Sequence, residues 1–230
     1  MSSRSQNRLA ATAAIAGALL LLVGTLLHPM GADPNDPIAA FSEYAGDTWW
    51  VASHLTQLAG VTVIVVALIV LAQTMANGPA RPWAGLGSAA AVASLAVAAA
   101  LQAVDGVALK AMVDRWAAAV EPDKLMMFQT AVAVRQIEIG LASMMSLLFG
   151  ATFIIYGIAL LAGPYFRRWL GWFGVIGGGG LLVSGTVMAY TGFSSLAMNI
   201  SMPSTIALLL WLLALSVRLW RLPAEEPLTV

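Results

Sequence analysis

Cysteine is absent from the chain, and charge is scarce: 10% of the 230 residues are charged, against 60% hydrophobic. Without cysteine there is no disulfide, no thiol nucleophile and no sulfur ligation of an iron cluster. Eleven basic and eleven acidic residues cancel to zero net charge, so no basic surface invites nucleic acid. A phosphate-binding loop, a dinucleotide fingerprint and a zinc-protease pattern are also missing. Ser194 and Ser195 lack the glycine-flanked context of a hydrolase nucleophile. What remains is apolar length. A soluble domain carries about 25% charged residues, and a chain with so few is dissolved by lipid rather than by water.

A helix that crosses a hydrocarbon core of about 30 Å needs roughly 20 mostly apolar residues. Six segments meet that demand, at 9–28, 49–75, 83–104, 139–162, 169–191 and 203–220. The expected fold class is therefore all-α, a polytopic membrane bundle of six spans forming a single domain over 1–230. The first apolar run, preceded by Arg4 and Arg8, exceeds the roughly 7–15 residues of a signal-peptide core and reads as a retained span. Basic residues set the orientation. Arg4, Arg8, Arg81, Arg167, Arg168, Arg218 and Arg221 fall at one set of span ends, and Lys110, Arg115, Lys124 and Arg135 at the other. That split predicts a cell-membrane protein with both termini cytoplasmic. Trp49, Trp50, Trp83, Trp169, Trp172 and Trp220 sit at span ends, as interfacial aromatics do.

Two segments on the expected outer side are long enough for structure. After the turn signal Asp33-Pro34-Asn35-Asp36-Pro37, residues 38–44 read as a short interfacial helix capped by Asp36. Residues 105–136 are amphipathic and broken at Glu121-Pro122-Asp123, which predicts that spans three and four continue into a helical hairpin cap. Gly17 with Gly24, and Gly150 with Gly157, recur at seven residues and mark close helix contacts. In span five Gly174 and Gly178 read as packing glycines in the same way, with a distortion at the run Gly177 to Gly180 as the alternative.

Ionisable residues in membrane helices cost roughly 2.5–3.5 kcal/mol each on insertion scales and so turn inward toward partners. Three segments present polar pairs at i and i+3, on one helix face: His54 with Gln57, Gln102 with Asp105, and Arg135 with Glu138. A rise of about 1.5 Å per residue places Asp105 ~33 Å from Trp83, and His28 and Tyr190 at nearly the same outer depth. His54, Asp105 and Glu138 are the candidate acid–base groups. Arg135, Gln57, Gln102, Tyr190 and His28 are the candidate ligand contacts. No cofactor is expected from these residues. The alternative is a metal or haem held by His28 and His54, with Asp33, Glu43 or Asp105 as a third metal ligand. His28 before Pro29, however, reads first as a helix end. Lys110 reads as a solvated lysine.

The junction of spans four and five runs Tyr156-Gly157-Ile158-Ala159-Leu160-Leu161, then Tyr165-Phe166-Arg167-Arg168-Trp169-Leu170-Gly171. With the six-span layout and the polar patch ahead of span four, it resembles a bacterial membrane family known as domain of unknown function 4386. The resemblance implies topology and supplies no chemistry or functional residue. The leading expectation is a membrane protein that binds an apolar or amphiphilic small molecule, with membrane lipids as its surroundings, in an outward-facing polar pocket. The alternatives are a structural subunit whose buried ion pairs only fix packing, and a small transporter.

Overall fold

A computed structural model describes residues 3–222; the single-domain expectation over 1–230 extends beyond these at both ends. Among the described residues eight α-helices follow in order: α1 Ser3–Leu27, α2 Pro37–Gly46, α3 Trp50–Thr74, α4 Arg81–Gln102, α5 Lys110–Ala118, α6 Lys124–Ala162, α7 Arg168–Thr191 and α8 Ser195–Arg221. A 3₁₀ turn, Gly78–Ala80, precedes α4, and a π-helical segment, Ala103–Leu109, joins α4 to α5 without a break. Six helical stretches are long and apolar enough to cross a membrane, the pattern of a multi-pass membrane protein. Short turns make the long helices alternate in direction. One end of the bundle therefore gathers the C-termini of α1 and α7, the N-termini of α3 and α8, the π segment and the first half of α6. The short helix α2 and the hairpin of α5 with early α6 cover this end, termed here the capped end. All seven arginines of the expected inner set lie at the other.

The interior faces follow a 3–4 spacing. On α4 the buried positions are Ala84, Gly87, Ala91, Ser94, Ala98 and Leu101, a narrow small-residue stripe packed on α6. On α6 the corresponding stripe runs Ala131, Arg135, Glu138, Ala142, Ser146, Phe149, Phe153, Tyr156 and Leu160. The ion pair thus occupies the same face as the apolar core. Glycine permits the closest approaches. A Cβ on Gly17 would stand 2.8 Å from the Gly60 carbonyl oxygen, and one on Gly157 would stand 2.6 Å from that of Gly171. These contacts bring α1 onto α3 and α6 onto α7 at backbone distance, where dispersion drives association in lipid. Buried hydroxyls and indoles bond across the same seams. Tyr156 Oη donates to the Leu68 carbonyl at 2.7 Å, Ser143 Oγ to Gly185 at 2.8 Å and Trp211 Nε1 to Leu170 at 2.7 Å.

A second, smaller core lies under the cap. Phe41 meets Trp116 and Phe128 edge-on at 6.1 and 5.9 Å, above Leu109, Val113 and Ala131. Asp36 caps α2 by accepting from the Ile38 and Ala39 amides, as its sequence position implies.

Some boundaries differ from those read in the sequence. The last helix begins at Ser195, eight residues before Pro203, because Ser194 Oγ accepts the Ala197 amide and supplies the N-cap. Pro203 is inside the helix, where only one backbone bond is lost. α6 starts at Lys124, since the amphipathic stretch ahead of the fourth span is continuous with it. α7 runs unbroken through Gly177–Gly180; Gly177, Gly178 and Gly180 abut neighbouring helices and Gly179 faces open space, so the run makes no distortion. Lys110 is partly buried: its Nζ donates to the Ala45 carbonyl at the end of α2 and pairs with Asp114 at 2.6 Å, neutralising carbonyls left over at a helix terminus.

Candidate functional site

Trp50 and His54 are one helical turn apart on α3, on its buried face. The turn brings the imidazole under the preceding carbonyl: His54 Nδ1 lies 2.7 Å from the Trp50 oxygen. A carbonyl only accepts, so Nδ1 carries the proton. His54 Nε2 then faces Asp105 Oδ2 at 3.0 Å. Because the Nδ1 proton is already committed, this approach is a hydrogen bond only if a further proton lies between the ring and the carboxyl group. In the neutral ring, Nε2 is a buried acceptor without a partner, and Asp105 Oδ1 is unpartnered as well.

The π segment explains how Asp105 reaches this position. Widening the helix at residues 103–109 releases carbonyls from their regular bonds, a distortion concentrated at functional sites. Trp50 Nε1 donates to the Asp105 carbonyl at 3.1 Å, fixing the turn against α3. Gly106 completes the fit, since a Cβ there would stand 2.6 Å from His54 Cβ.

His28 follows α1 directly. Its Nδ1 donates to the Pro29 carbonyl at 2.7 Å, and its ring lies 4.8 Å from Trp50 and 5.0 Å from His54, centroid to centroid. Tyr44 packs tilted beside Trp50 at 4.2 Å and meets His28 edge-on at 6.4 Å. Burial lowers the His28 pKa, the neighbouring His54 adds to that, and Asp105 opposes it. One donor atom each from His28, His54 and Asp105 lies within 4.8 Å of the others. A haem does not fit between the histidines, because two rings in contact leave no gap for a macrocycle.

On the opposite wall Arg135 Nη1 donates to Glu138 Oε2 at 2.7 Å, with both residues almost wholly buried at 6% and 3% exposure. Its Nη2 donates to the Pro34 carbonyl at 3.3 Å. The guanidinium also lies over the rings of Phe193 and Tyr44, at 4.9 and 5.5 Å. The loop after α1 is thereby held as a roof. Glu43 accepts the Gly31 and Ala32 amides, and Asn35 Nδ2 donates to the Phe193 carbonyl.

Beneath the roof is a cavity of about 440 Å³ lined by His28, His54, Asp105, Arg135 and Glu138 together with Tyr44 and Gln57. It adjoins a second cavity of about 260 Å³ lined by residues of α1, α3, α6, α7 and α8, ten of the fifteen apolar and none charged. Thr25, Gln57, Met145, Ser146 and Ser201 line both. Exposed Met30 and Met202 also line the polar chamber and mark its mouth beside α8.

Of the eight candidate residues, six line the polar chamber: His28, His54, Gln57, Asp105, Arg135 and Glu138. Gln102 stands behind, donating Nε2 to Gln57 Oε1 at 3.2 Å. Tyr190 does not join them. It is 87% exposed, because the buried face of α7 passes through Ser184, Gly185 and Met188, nearly opposite. Asp33 is likewise outside the cluster; its carboxylate accepts from the Asn35 amide. Sequence reasoning missed Tyr44, Trp50 and Phe193. Only Trp50 had a local signal, its i, i+4 spacing to His54; the others depend on chain crossings that no short-range pattern encodes. No family model, curated protein or solved structure matches this chain.

Proposed function

We propose that the protein is a multi-pass cell-membrane protein that binds an amphiphile, its head among Asp105, Arg135 and Glu138 and its chain in the apolar gallery. The observation that carries this reading is the join between a chamber lined by six acidic, basic or imidazole side chains and a gallery lined by none. A wholly polar guest would leave the gallery unfilled, and a wholly apolar one would desolvate the charged wall without compensation. A chamber of 440 Å³ is within the usual span of small-molecule sites, about 300–1,000 Å³. His54 Nδ1 is bonded to the Trp50 carbonyl and its Nε2 faces Asp105 at 3.0 Å, so proton transfer to a bound head would run through the carboxylates. The arginine-rich end faces the cytoplasm, by the usual bias of basic residues, and the capped end faces outward. Lipid is then the immediate source of guests, and the mouth beside α8 is their route.

A structural role has one observation in its favour: Arg135 is already paired with Glu138 and roofed by Pro34. The deciding measurement is native mass spectrometry of the protein released from detergent. Wild type should retain one amphiphile, and Leu209→Trp, which fills the gallery, should cut occupancy by about tenfold or more, a loss of about 1.4 kcal/mol. Leu210→Trp, on the exposed face of the same helix, should not. Wild-type protein that carries nothing, or equal occupancy in Leu209→Trp, refutes amphiphile binding.

A further inference from the structure

We propose that His28, His54 and Asp105 bind one divalent transition-metal ion of the zinc type, with its open coordination position facing the polar chamber. Three separate segments supply the donors: the end of α1, the first turns of α3 and the π segment. Their donor atoms all lie within 4.8 Å of one another. Ligand bonds of about 2.0–2.2 Å at a tetrahedral ion hold donors roughly 3.4 Å apart. Small ring rotations therefore close the set.

The hydrogen-bond pattern is that of metal-ready imidazoles. Each histidine gives its Nδ1 proton to a main-chain carbonyl, Pro29 for His28 and Trp50 for His54. Nε2 is left as the lone-pair nitrogen of each ring. Metal-bound histidines are oriented in this way, with the second nitrogen tied to a carbonyl or carboxylate. The arrangement is poor without a cation. His54 is 2% exposed, yet its Nε2 lacks a hydrogen-bond donor and faces a carboxylate oxygen at 3.0 Å. Asp105 Oδ1 is buried and unpartnered beside it. One positive ion at the centre satisfies the lone pairs and the carboxylate together.

The donor set narrows the choice of ion. Magnesium and calcium take oxygen ligands, whereas two imidazoles and one carboxylate suit zinc and its first-row neighbours. Three protein ligands leave a position for water or a guest atom, and these residues line the chamber. Trp50 and Tyr44 wall the site on its other side. The ion does not depend on what fills the gallery, and its test uses no amphiphile.

Full-length protein in detergent, stripped with a chelator, is titrated with zinc chloride and desalted, and bound metal is counted by mass spectrometry. Wild type should take up one zinc per chain and gain thermal stability with it. His28→Gln and Asp105→Asn should each bind at least about tenfold more weakly, as loss of a ligand exceeds the 10–100-fold effect of an outer-shell change. Asp114→Asn, which removes only the partner of Lys110, should bind as wild type does. His28 is partly exposed at a helix end, so His28→Gln keeps the fold and decides the matter even if Asp105→Asn does not. A wild-type protein without stoichiometric zinc overturns the proposal; the His54–Asp105 contact is then held by a proton. So does His28→Gln that takes up zinc, and gains stability from it, as wild type does.

Discussion

Replacing Glu138 by leucine while Arg135 stays in place should be among the most damaging single changes at the capped end. The guanidinium is 6% exposed and relies on Glu138 for its 2.7 Å charge-assisted bond. Its remaining partners are the Pro34 carbonyl and two aromatic faces. Removing one member of such a pair costs about 3–5 kcal/mol, because the survivor keeps its desolvation penalty and loses its compensation. Each ring offsets only about 0.5–2 kcal/mol. Arg135→Met should cost a comparable amount, since it strands the Glu138 carboxylate at 3% exposure. Together, Arg135→Met and Glu138→Leu leave an apolar wall of similar volume, and the double variant should unfold within about 2 kcal/mol of wild type. The coupling is then at least about 4 kcal/mol, above the roughly 0.5–3 kcal/mol usual for contacting residues. Reversible unfolding in mixed micelles measures all four corners of the cycle. Amphiphile retention, read on the folded double variant, separates the two roles: a structural pair leaves binding intact, and a head-group site loses it. Additive costs, or a single variant costing under about 1 kcal/mol, would refute the physical account of this pair.

Gly106→Val should drive α3 away from the π segment, because its first added carbon would stand 2.6 Å from His54 Cβ. A cost of about 1–3 kcal/mol is expected from such overpacking, seen as a lower midpoint in thermal unfolding. Two glycines, one inside the α6–α7 seam and one outside it, should respond with opposite signs. Gly157→Ala meets the Gly171 carbonyl and should destabilise by about 1–3 kcal/mol. Gly179→Ala meets nothing within 4 Å and should stabilise by about 0.5–1 kcal/mol through helix propensity.

Much of this architecture is legible in residue order. Apolar runs of spanning length locate the helices, since nothing else hides so much apolar surface. Arg135 and Glu138 could be placed inside the bundle because they share the 3–4 stripe of Ala131, Ala142 and Ser146. His54 with Gln57 followed from the same argument. Tyr190 shows its limit. Depth along a helix follows from counting residues, but azimuth requires the neighbour, and Tyr190 has the right depth on the wrong face. Pro203 misled for a related reason: a proline reads as a boundary, while a serine nine residues earlier supplies the actual cap. The convergence of His28 with His54 was not derivable. It depends on where the chain stops after α1, which the Glu43 bonds to Gly31 and Ala32 decide from α2.

The wide turn at residues 103–109 acts as a phase shifter within one long rod. A regular helix advances about 100° per residue, so accommodating one extra residue turns everything beyond it by that angle. Leu109 and Val113 face the cap core only because of this offset, while Ala98 and Leu101 below it face the bundle. Deleting a single residue between Ala103 and Leu109 would restore a regular coil and yet swing Leu109 and Val113 out of the cap. Regularity and correct facing are mutually exclusive here, and the chain has kept the facing.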